Sequence, residues 1–442
     1  MAYWKVSLFQ VKNVLKISPM AMKPRNYESE VFMNFDCKVN IVDMIMGSGK
    51  TSAAINYINS MPEDEKVMFI TPYESERDRI IEGCKNKNLK EPQRMGTKLR
   101  GIKYLIEKGL NIASTHALFH RFDEETIDMC RAQNYTLIMD EVTNVVEKYN
   151  ITKEDFETLK REYITIEEGS GRIRWREDKM NYDDQYGKFR DEKRLCELGC
   201  LAYYSGNIMM WLFPIEAFNA FKKIYILTYM FDSQIQRYYY DYYKLPYSYL
   251  YIKGNSIHNY EFSNDKPEMK YEYNFRKLIH VIDNEKLNSI GEREFDLAKN
   301  WYKRNQNNIV IKQLRNNITN FFKNIRKSAS SENMWTTFVD YKKNLSNKGY
   351  SKGFLEVNAR GTNRFRERIN VAYPVNRYLN TGIKNFFILH DINVDEDGFA
   401  LSEMLQFIWR SAIRDGKEIW VYIPSVRMRK LLINWIEENS PK

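Results

Sequence analysis

Cys37-Lys-Val-Asn-Ile-Val-Asp-Met-Ile-Met-Gly-Ser-Gly-Lys-Thr-Ser52 is the stretch from which the fold of this chain can be inferred. Its apolar, β-branched part, residues 39–42, predicts a short buried strand. The turn Gly47-Ser-Gly-Lys-Thr51 follows, and Ser52 opens a segment of helical character. A strand, a glycine turn and a helix start in this order form a phosphate cradle, because backbone N–H groups and the helix N-terminus attract anions.

Two polar side chains of the turn would contact the nucleotide and its metal ion. Lys50 would reach the terminal phosphates of a nucleotide, and the hydroxyl of Thr51 would hold Mg²⁺. The glycines would let the backbone close around the polyphosphate. We therefore predict a nucleotide-binding loop formed by Gly47, Ser48, Gly49, Lys50, Thr51 and Ser52.

Length and composition indicate a folded, basic protein of several domains. The 442 residues can hold two or three cores, and a 14% aromatic content excludes a disordered chain. The net charge of +10 favours a polyanionic partner. Five scattered cysteines predict a reduced protein of the cytoplasm. No uncharged apolar run approaches the roughly 20 residues that span a bilayer, so no membrane contact is predicted.

Strand and helix patterns alternate along the chain from Val39 onward. This rhythm predicts a parallel sheet covered by helices, and it occurs twice. The further predicted strands are 67–71, 110–115, 135–139, 223–228, 277–283, 334–338, 354–357, 369–373 and 418–423. Helices are expected at 75–84 and 399–413, and Ser425 is expected to cap the last one.

Two α/β domains in tandem are the predicted architecture. The first covers residues 1–253, a polar linker covers 254–270, and the second domain covers 271–442. Residues 150–215 carry two hairpin patterns, with turns at Gly169-Ser-Gly171 and Ser205-Gly-Asn207, and predict a β-containing insertion in the first domain.

Two adjacent carboxylates close the strand predicted at 135–139. Asp140 would bind Mg²⁺, and Glu141 would orient and activate the water that attacks the terminal phosphate. The alternative is a pair of surface acids that merely ends a strand. A buried strand tip aligned with a phosphate loop favours the catalytic interpretation.

Two other segments bear on nucleic-acid binding. The tyrosine cluster at 238–251 either stacks on bases or packs as an aromatic helix, and we favour packing. Residues 297–331 contain no acid, and the alternatives are a solvated helix face and a surface that contacts a phosphate backbone. The basic residues of this segment are Lys299, Lys303, Arg304, Lys312, Arg315, Lys323, Arg326 and Lys327.

The chain resembles the superfamily 2 helicases and translocases, the DEAD/DEAH-like group, in a series of short motifs. In the first half, Gly47–Thr51 looks like motif I, Phe69–Pro72 like motif Ia, Ser114–Leu118 like the next nucleic-acid motif, and Asp140–Thr143 like motif II. Leu227–Met230 lies where motif III is found, although Tyr229 departs from it. In the second half, Ala359–Asn363 resembles motif V, and Gln406–Arg414 resembles motif VI with its arginines spaced four apart.

The resemblance implies two tandem RecA-like domains that bind ATP and Mg²⁺ between them. Arg410 or Arg414 would reach the γ-phosphate from the opposite domain. The implied catalytic residues are Lys50, Asp140, Glu141, Gln406, Arg410 and Arg414, with Thr51 and Asp140 at the metal. The implied nucleic-acid contacts are Thr115, Thr228, Arg360, Thr362 and Asn363.

An ATP-dependent helicase or translocase is the expected activity, with DNA favoured over RNA. The chain is similar in general character to helicases of phages and mobile elements, which implies partners in DNA replication or recombination. One alternative is an ATP-driven remodeller or loader that does not unwind nucleic acid. Another is a basic nucleic-acid-binding protein whose ATPase has decayed. The sequence assigns no oligomeric state.

Overall fold

A computed structural model describes residues 37–181, 187–206, 208–254, 260–266, 274–357 and 364–441. Within these residues the strands are β1 (Val39–Asp43), β2 (Val67–Thr71), β3 (Ile112–Thr115), β4 (Thr136–Asp140), β5 (Val146–Tyr149), β6 (Ile164–Ile166), β7 (Ile173–Trp175), β8 (Leu201–Ser205), β9 (Ile208–Leu212), β10 (Lys223–Thr228), β11 (Tyr247–Lys253), β12 (Glu261–Ser263), β13 (Ile279–Val281), β14 (Asn333–Trp335), β15 (Asn370–Ala372) and β16 (Ile419–Tyr422).

The α-helices of the same ranges cover these strands. They are α1 (Lys50–Ser60), α2 (Glu74–Gly83), α3 (Lys98–Glu107), α4 (His116–Phe119), α5 (Glu124–Gln133), α6 (Lys153–Glu162), α7 (Arg190–Glu197), α8 (Ile215–Asn219), α9 (Ile235–Tyr242), α10 (Phe275–Leu278), α11 (Glu285–Asn288), α12 (Lys299–Asn305), α13 (Ile309–Asn320), α14 (Lys342–Leu345), α15 (Thr381–Leu389), α16 (Glu396–Ile408) and α17 (Val426–Glu438).

The first sheet has seven strands in the order β12-β11-β1-β10-β4-β2-β3. Every pair is parallel except β11 with β12. Its central strands are apolar on both faces, as in Val39, Ile41 and Val42, because helices cover both sides of a parallel sheet. The carboxyl ends of β1, β10, β4 and β2 therefore meet along one edge. We call this sheet and its helices the first lobe.

The second sheet is smaller and wholly parallel, in the order β13-β16-β15-β14. Side chains alternate between its faces, as the pleat requires. Val371 and Val421 pack with α16 and α17. Ala372 and Tyr422 pack on the other face with α12 and α13. This sheet with its helices is the second lobe.

The predicted fold class, an α/β protein with two RecA-like domains in tandem, is confirmed by these two sheets. Ser425 caps α17 as predicted and accepts a hydrogen bond from the backbone N–H of Met428. The strand predicted at 354–357 is wrong. Phe354 makes only an isolated bridge to Trp335, because the tight approach of Gly353 to the Asn333 carbonyl does not continue into a ladder.

The segment predicted as a linker, 254–270, contains β12. This strand pairs with β11 and packs against α1, where Asn56 Nδ2 donates to the Tyr260 carbonyl at 2.9 Å. Its polar composition is that of a sheet edge, which is why the sequence resembles a linker. The domain boundaries themselves stay a prediction.

Between β4 and β10 lies a small antiparallel region. β5, β9 and β8 form one sheet, and β6 and β7 form a hairpin that turns at Gly169-Ser-Gly171. Phe156, Leu159 and Met209 contribute to a separate core beneath them. The antiparallel pairs β6–β7 and β8–β9 correspond to the two hairpins predicted within residues 150–215.

The tyrosine cluster packs inside the first lobe, as predicted. Tyr238, Tyr239 and Tyr240 on α9 are fully buried, so none of these three rings is available to a nucleic-acid base. The cluster belongs to the core that also holds α15.

The two lobes meet along a seam formed by α9 with its preceding turn on one side and α15 and α16 on the other. Gln234 Nε2 donates to Ser402 Oγ at 2.9 Å in the buried part of this seam. Ser233 Oγ donates to Asp395 Oδ2 at 2.7 Å. The Phe387 ring of α15 packs against Tyr238 with centroids 5.6 Å apart. No helix among the described residues is long and apolar enough to cross a membrane.

Candidate functional site

The predicted phosphate loop joins the carboxyl end of β1 to α1. Gly47 and Gly49 have φ angles of +86° and +85°, in the left-handed region that favours glycine. A Cβ on Gly49 would lie 2.6 Å from the Tyr260 ring, whereas the space around Gly47 is open. The Asp43 carboxylate accepts hydrogen bonds from the N–H groups of Met230 and Phe231 at 2.8 and 2.9 Å. These bonds tie the end of β1 to the turn after β10, so the loop starts from a fixed point.

Lys50 lies beneath this loop with only 9% of its surface exposed. Its ammonium donates to the carbonyls of Met44 and Ile45, the latter at 3.0 Å. Burial lowers the pKa of Lys50, while the nearby charges of Glu141 and Asp140 act in the opposite direction. The lysine thus bonds the start of the loop and feels the charges of both carboxylates.

Asp140 and Glu141 end β4 at the same edge of the sheet. Burial, and secondly the neighbouring charge of Glu141, raise the pKa of Asp140 to about 7. Glu141 has a φ of +68°, a strained value for a residue with a side chain. Its N–H donates to the Leu227 carbonyl at 2.9 Å, which holds this geometry. Its Oε2 is buried and has no hydrogen-bond partner within the described part of the chain.

The second lobe closes the site with Trp409, Arg410 and Arg414, which line the same cleft as the loop and the carboxylates. The Nε of Arg410 is buried and lacks a hydrogen-bond partner in the described ranges. Burial, and secondly the charge of Arg410, lower the pKa of Arg414. Two cations therefore face the phosphate loop from across the cleft.

The sequence did not predict two residues on the first-lobe side of the cleft. Glu76 and Arg79 of α2, with Pro72 before them, also line the cleft, and Arg79 Nη2 lies 3.3 Å from Glu76 Oε2. Pro72 ends the stretch that resembles motif Ia, and α2 follows at once. The position of α2 directly after this motif was the sequence feature that could have identified Glu76 and Arg79.

The structure brings together most of the predicted site residues. Those that line the cleft are Gly47, Gly49, Lys50, Thr51, Ser52, Asp140, Glu141, Arg410 and Arg414. Gln406 is buried in α16, about one turn before Arg410 and away from the cleft surface. The Oγ of Ser48 is buried without a partner among the described residues.

The predicted nucleic-acid contacts are placed less favourably. Thr115 is half-buried at the end of β3, the edge strand of the first sheet. Thr228 is fully buried at the end of β10, so its position does not support a direct contact with nucleic acid. Arg360, Thr362 and Asn363 lie outside the described residues.

The charges that line the cleft suit the phosphates of a nucleotide. Lys50, Arg79, Arg410 and Arg414 surround it with positive charge, and unpartnered polar atoms of Glu141 and Arg410 are buried at the site. Among the described residues no group of three or more His, Cys, Asp or Glu side chains could hold a metal ion. Thr51 and Asp140 alone would leave most ligand positions of Mg²⁺ to phosphate and water, which is the usual arrangement for this ion.

Fold and cleft together define an α/β protein with two RecA-like domains and a cleft between them. Residues 273–436 match the family described as YonV C-terminal Rossmann-like domain, and residues 146–211 match the YonV middle domain. The chain is 40% identical over 415 residues to the SPbeta prophage-derived uncharacterized protein YonV of Bacillus subtilis (strain 168), which covers 90% of this chain and 99% of that protein. The chain therefore belongs to the YonV family.

Two solved structures resemble the chain at low sequence identity. One is described as the structure of S. tokodaii Xpd4, with a TM-score of 0.44, 12% identity, and coverage of 90% of this chain and 94% of the other. The second is the DUF1998 helicase MrfA bound to DNA and AMPPNP, with a TM-score of 0.35, 8% identity, and coverage of 92% and 49%.

Proposed function

We propose that this protein is a nucleic-acid-dependent ATPase of the helicase or translocase type. One observation carries the proposal. The phosphate loop and the Asp140-Glu141 pair of the first lobe face Arg410 and Arg414 of the second lobe across a single cleft. A site that needs both lobes couples nucleotide turnover to their relative motion.

Each residue has a task in hydrolysis. Bound Mg²⁺ would neutralise the β- and γ-phosphates, held through Thr51 and Asp140. Lys50 binds the terminal phosphates, and Glu141 orients the attacking water and accepts its proton. Arg410 stabilises the charge that develops in the transition state. Because Arg410 stands on the other lobe, full catalysis requires the lobes to close.

Nucleic acid is the proposed partner because the positive charge is concentrated in one segment. The acid-free stretch 297–331 forms α12, α13 and the turns after them on the second lobe. The resemblance to superfamily 2 motifs points in the same direction, and we propose DNA rather than RNA as the nucleic acid. Repeated closing and opening would then move the protein along a strand.

A remodeller or loader that moves a partner protein is a second candidate. The observation in its favour is the region 146–211, which has its own sheet and small core beside the first lobe. A decayed ATPase is the less compatible alternative. The side chains proposed for hydrolysis are present and line one cleft together, as an intact site requires.

The proposal is tested by measuring ATP turnover with single-stranded DNA, duplex DNA and single-stranded RNA in parallel. We expect turnover that rises with nucleic acid, and its loss in Lys50→Ala and Glu141→Gln. Lys222→Ala is the matched control, because this exposed lysine pairs with Glu65 outside the cleft. Absence of turnover in the wild-type protein under all conditions would contradict the proposal.

A strand-displacement assay separates the two candidates. Separation of a tailed duplex that depends on ATP supports the helicase. Stimulated turnover without displacement or translocation on the same substrates supports the remodeller.

A further inference from the structure

A second, larger cavity lies at the opposite end of α16 from the nucleotide cleft. Its volume is about 930 Å³, against about 230 Å³ for the cleft. Glu396 and Phe399 at the start of α16 line this groove, whereas Trp409 and Arg410, just past the end of α16, line the cleft. The 13 residues of α16 separate the two sites by about 20 Å at 1.5 Å per residue. Ile235 of the first lobe also lines the groove, so the groove lies between the lobes.

The groove presents an aromatic ring to solvent. Phe295 is 60% exposed, and its ring lies against that of Tyr378 with centroids 5.6 Å apart at 35°. On Tyr378 itself, the guanidinium of Arg427 lies 4.2 Å from the ring centroid. The Tyr378 hydroxyl donates to the Glu294 carbonyl at 2.8 Å. One ring is therefore fixed, and it supports a second ring that remains accessible.

The loop that carries Phe295 is held in place from below. The buried Asn376 donates through Nδ2 to the carbonyls of Glu294 and Asp296 at 2.6 and 3.0 Å. Its backbone N–H donates to the Leu297 carbonyl at 3.0 Å. Asn376 Oδ1 in turn accepts from Arg427 Nη1 at 3.0 Å. Because the backbone on both sides of Phe295 is anchored, the exposed ring is a built feature of the loop.

Cationic side chains follow the ring directly. α12 begins at Lys299, and both Lys299 and Arg304 line the groove. The Lys299 ammonium lies 3.8 Å from the Asp340 carboxylate, and both side chains are about 70% exposed, so this pair is weak. No acid occurs in the sequence from Leu297 to Ser331. No acid of α12 itself would therefore repel an anionic chain. The acids of the groove lining are Glu294 and Glu396, and Glu396 Oε2 pairs with Lys384 Nζ at 2.7 Å.

We propose that this groove binds single-stranded nucleic acid, with a base stacked on Phe295 and the phosphate backbone along Lys299 and Arg304. An accessible ring beside a cationic helix suits unpaired bases, since every base has a face that can stack and duplex bases are already stacked on each other. This inference rests on the proposed function and names the strand's path on the second lobe. It also places the strand and the nucleotide at the two ends of one helix.

The test is fluorescence anisotropy with a labelled oligo-dT 20-mer, an oligo-rU 20-mer and a 20-base-pair duplex at a fixed salt concentration. Phe295→Ala is expected to weaken single-strand binding roughly tenfold, and Phe295→Tyr to restore it, because stacking needs the ring and not the particular residue. The Lys299→Ala/Arg304→Ala pair should reduce the slope of log affinity against log salt by about 1.4 for single strands. If oligo-dT binds with higher affinity than oligo-rU, the bound strand is DNA, and the reverse order indicates RNA.

Tyr104→Ala is the matched control, because this aromatic residue of α3 is 44% exposed and lines neither cavity. Equal affinity of wild type, Phe295→Ala and Tyr104→Ala for single strands would overturn the proposal. So would displacement of the oligonucleotide by polyglutamate at equal charge, which would indicate an acidic protein partner. These binding measurements need no turnover, so failure of the groove and failure of the ATPase proposal are read separately.

Discussion

The two lobes are built on the same plan, yet they face the cleft between them with opposite ends of their sheets. The first lobe offers the carboxyl ends of β1 and β4, from which the phosphate loop and Asp140-Glu141 extend. The second lobe offers the turn between α16 and β16. This turn is bound to the strand-start side of β15, since Ala412 N–H donates to the Arg368 carbonyl at 2.8 Å.

The difference shows how the two halves of the site acquire their positions. Groups of the first lobe stand where strands end, so the sheet hydrogen bonds fix them. Arg410 and Arg414 stand beyond a helix end, and the packing of α16 along the seam sets their distance from the loop. We call the first set the floor and the second set the wall. Sheet hydrogen bonds hold the floor, whereas the position of the wall is set by the packing of the second lobe.

Removal of an arginine from the wall should have the largest effect on turnover. Arg410→Ala should reduce the turnover number about a thousandfold, because an arginine supplied across a cleft stabilises transition-state charge by this order. Arg410→Lys should recover little, since an ammonium lacks the planar pair of donors. Arg414→Ala should have the smaller effect. Steady-state ATPase kinetics with saturating nucleic acid measure all three.

Arg276→Ala is the control for the wall, because that half-exposed arginine binds the Pro441 carbonyl at 2.9 Å, away from the cleft. Full turnover in both Arg410→Ala and Arg414→Ala would show that the floor works alone. The second lobe would then have no catalytic part.

The floor is tested by removing the carboxylate that joins β1 to the turn after β10. Asp43→Ala leaves two backbone N–H groups, those of Met230 and Phe231, without their acceptor. We expect a loss of about 3 kcal/mol in the free energy of unfolding, the order found for unsatisfied buried donors. Asp43→Asn keeps one acceptor oxygen and should lose about half as much. Urea unfolding measures both, and equal midpoints for wild type and Asp43→Ala would refute a fixed floor.

The same contrast explains what the sequence could predict. The floor could be predicted because its signal is local in the sequence. A strand, a glycine turn and a helix start together specify both the loop and the position of Lys50. Glu141 was predicted from its place at a strand end, but its φ of +68° depends on a bond to Leu227 that only the sheet creates. The tertiary bonds of Asp43 left no comparable pattern in the sequence.

The second lobe was harder to predict because its contacts are distant in sequence. A pattern indicated Arg410 and Arg414, but it also included Gln406, which the packing of α16 buries. Phe295 resembles any isolated aromatic residue until Asn376, 81 positions later, is seen to hold its loop. Residues 354–357 have strand composition, yet their backbone makes only one bridge.

A smaller effect on stability is expected from the hydrogen bond between Gln234 and Ser402 at the seam of the two lobes. Gln234 Nε2 and Ser402 Oγ are 2.9 Å apart and buried, so the pair should contribute a coupling energy of about 1 kcal/mol. A double-mutant cycle of Gln234→Ala, Ser402→Ala and the combined variant measures it by urea unfolding. Strictly additive losses would mean that this hydrogen bond does not hold the lobes together.

The smallest expected effect concerns His120, which supports the floor just beyond Glu141. Its Nε2 lies 2.7 Å from Thr143 Oγ1, and its ring packs at 5.3 Å from Phe213. Burial lowers the pKa of His120 below the 6.5 of an unfolded chain. Below pH 6.5 the unfolded state therefore binds the proton more readily, so the contribution of His120 to stability is present above that pH and is lost as the pH falls towards its folded pKa. Between pH 7 and 6, wild type should therefore lose more stability than His120→Gln, measured by urea midpoints. Parallel pH profiles for the two proteins would show that the ring titrates freely, and His120 would then not belong to the rigid floor.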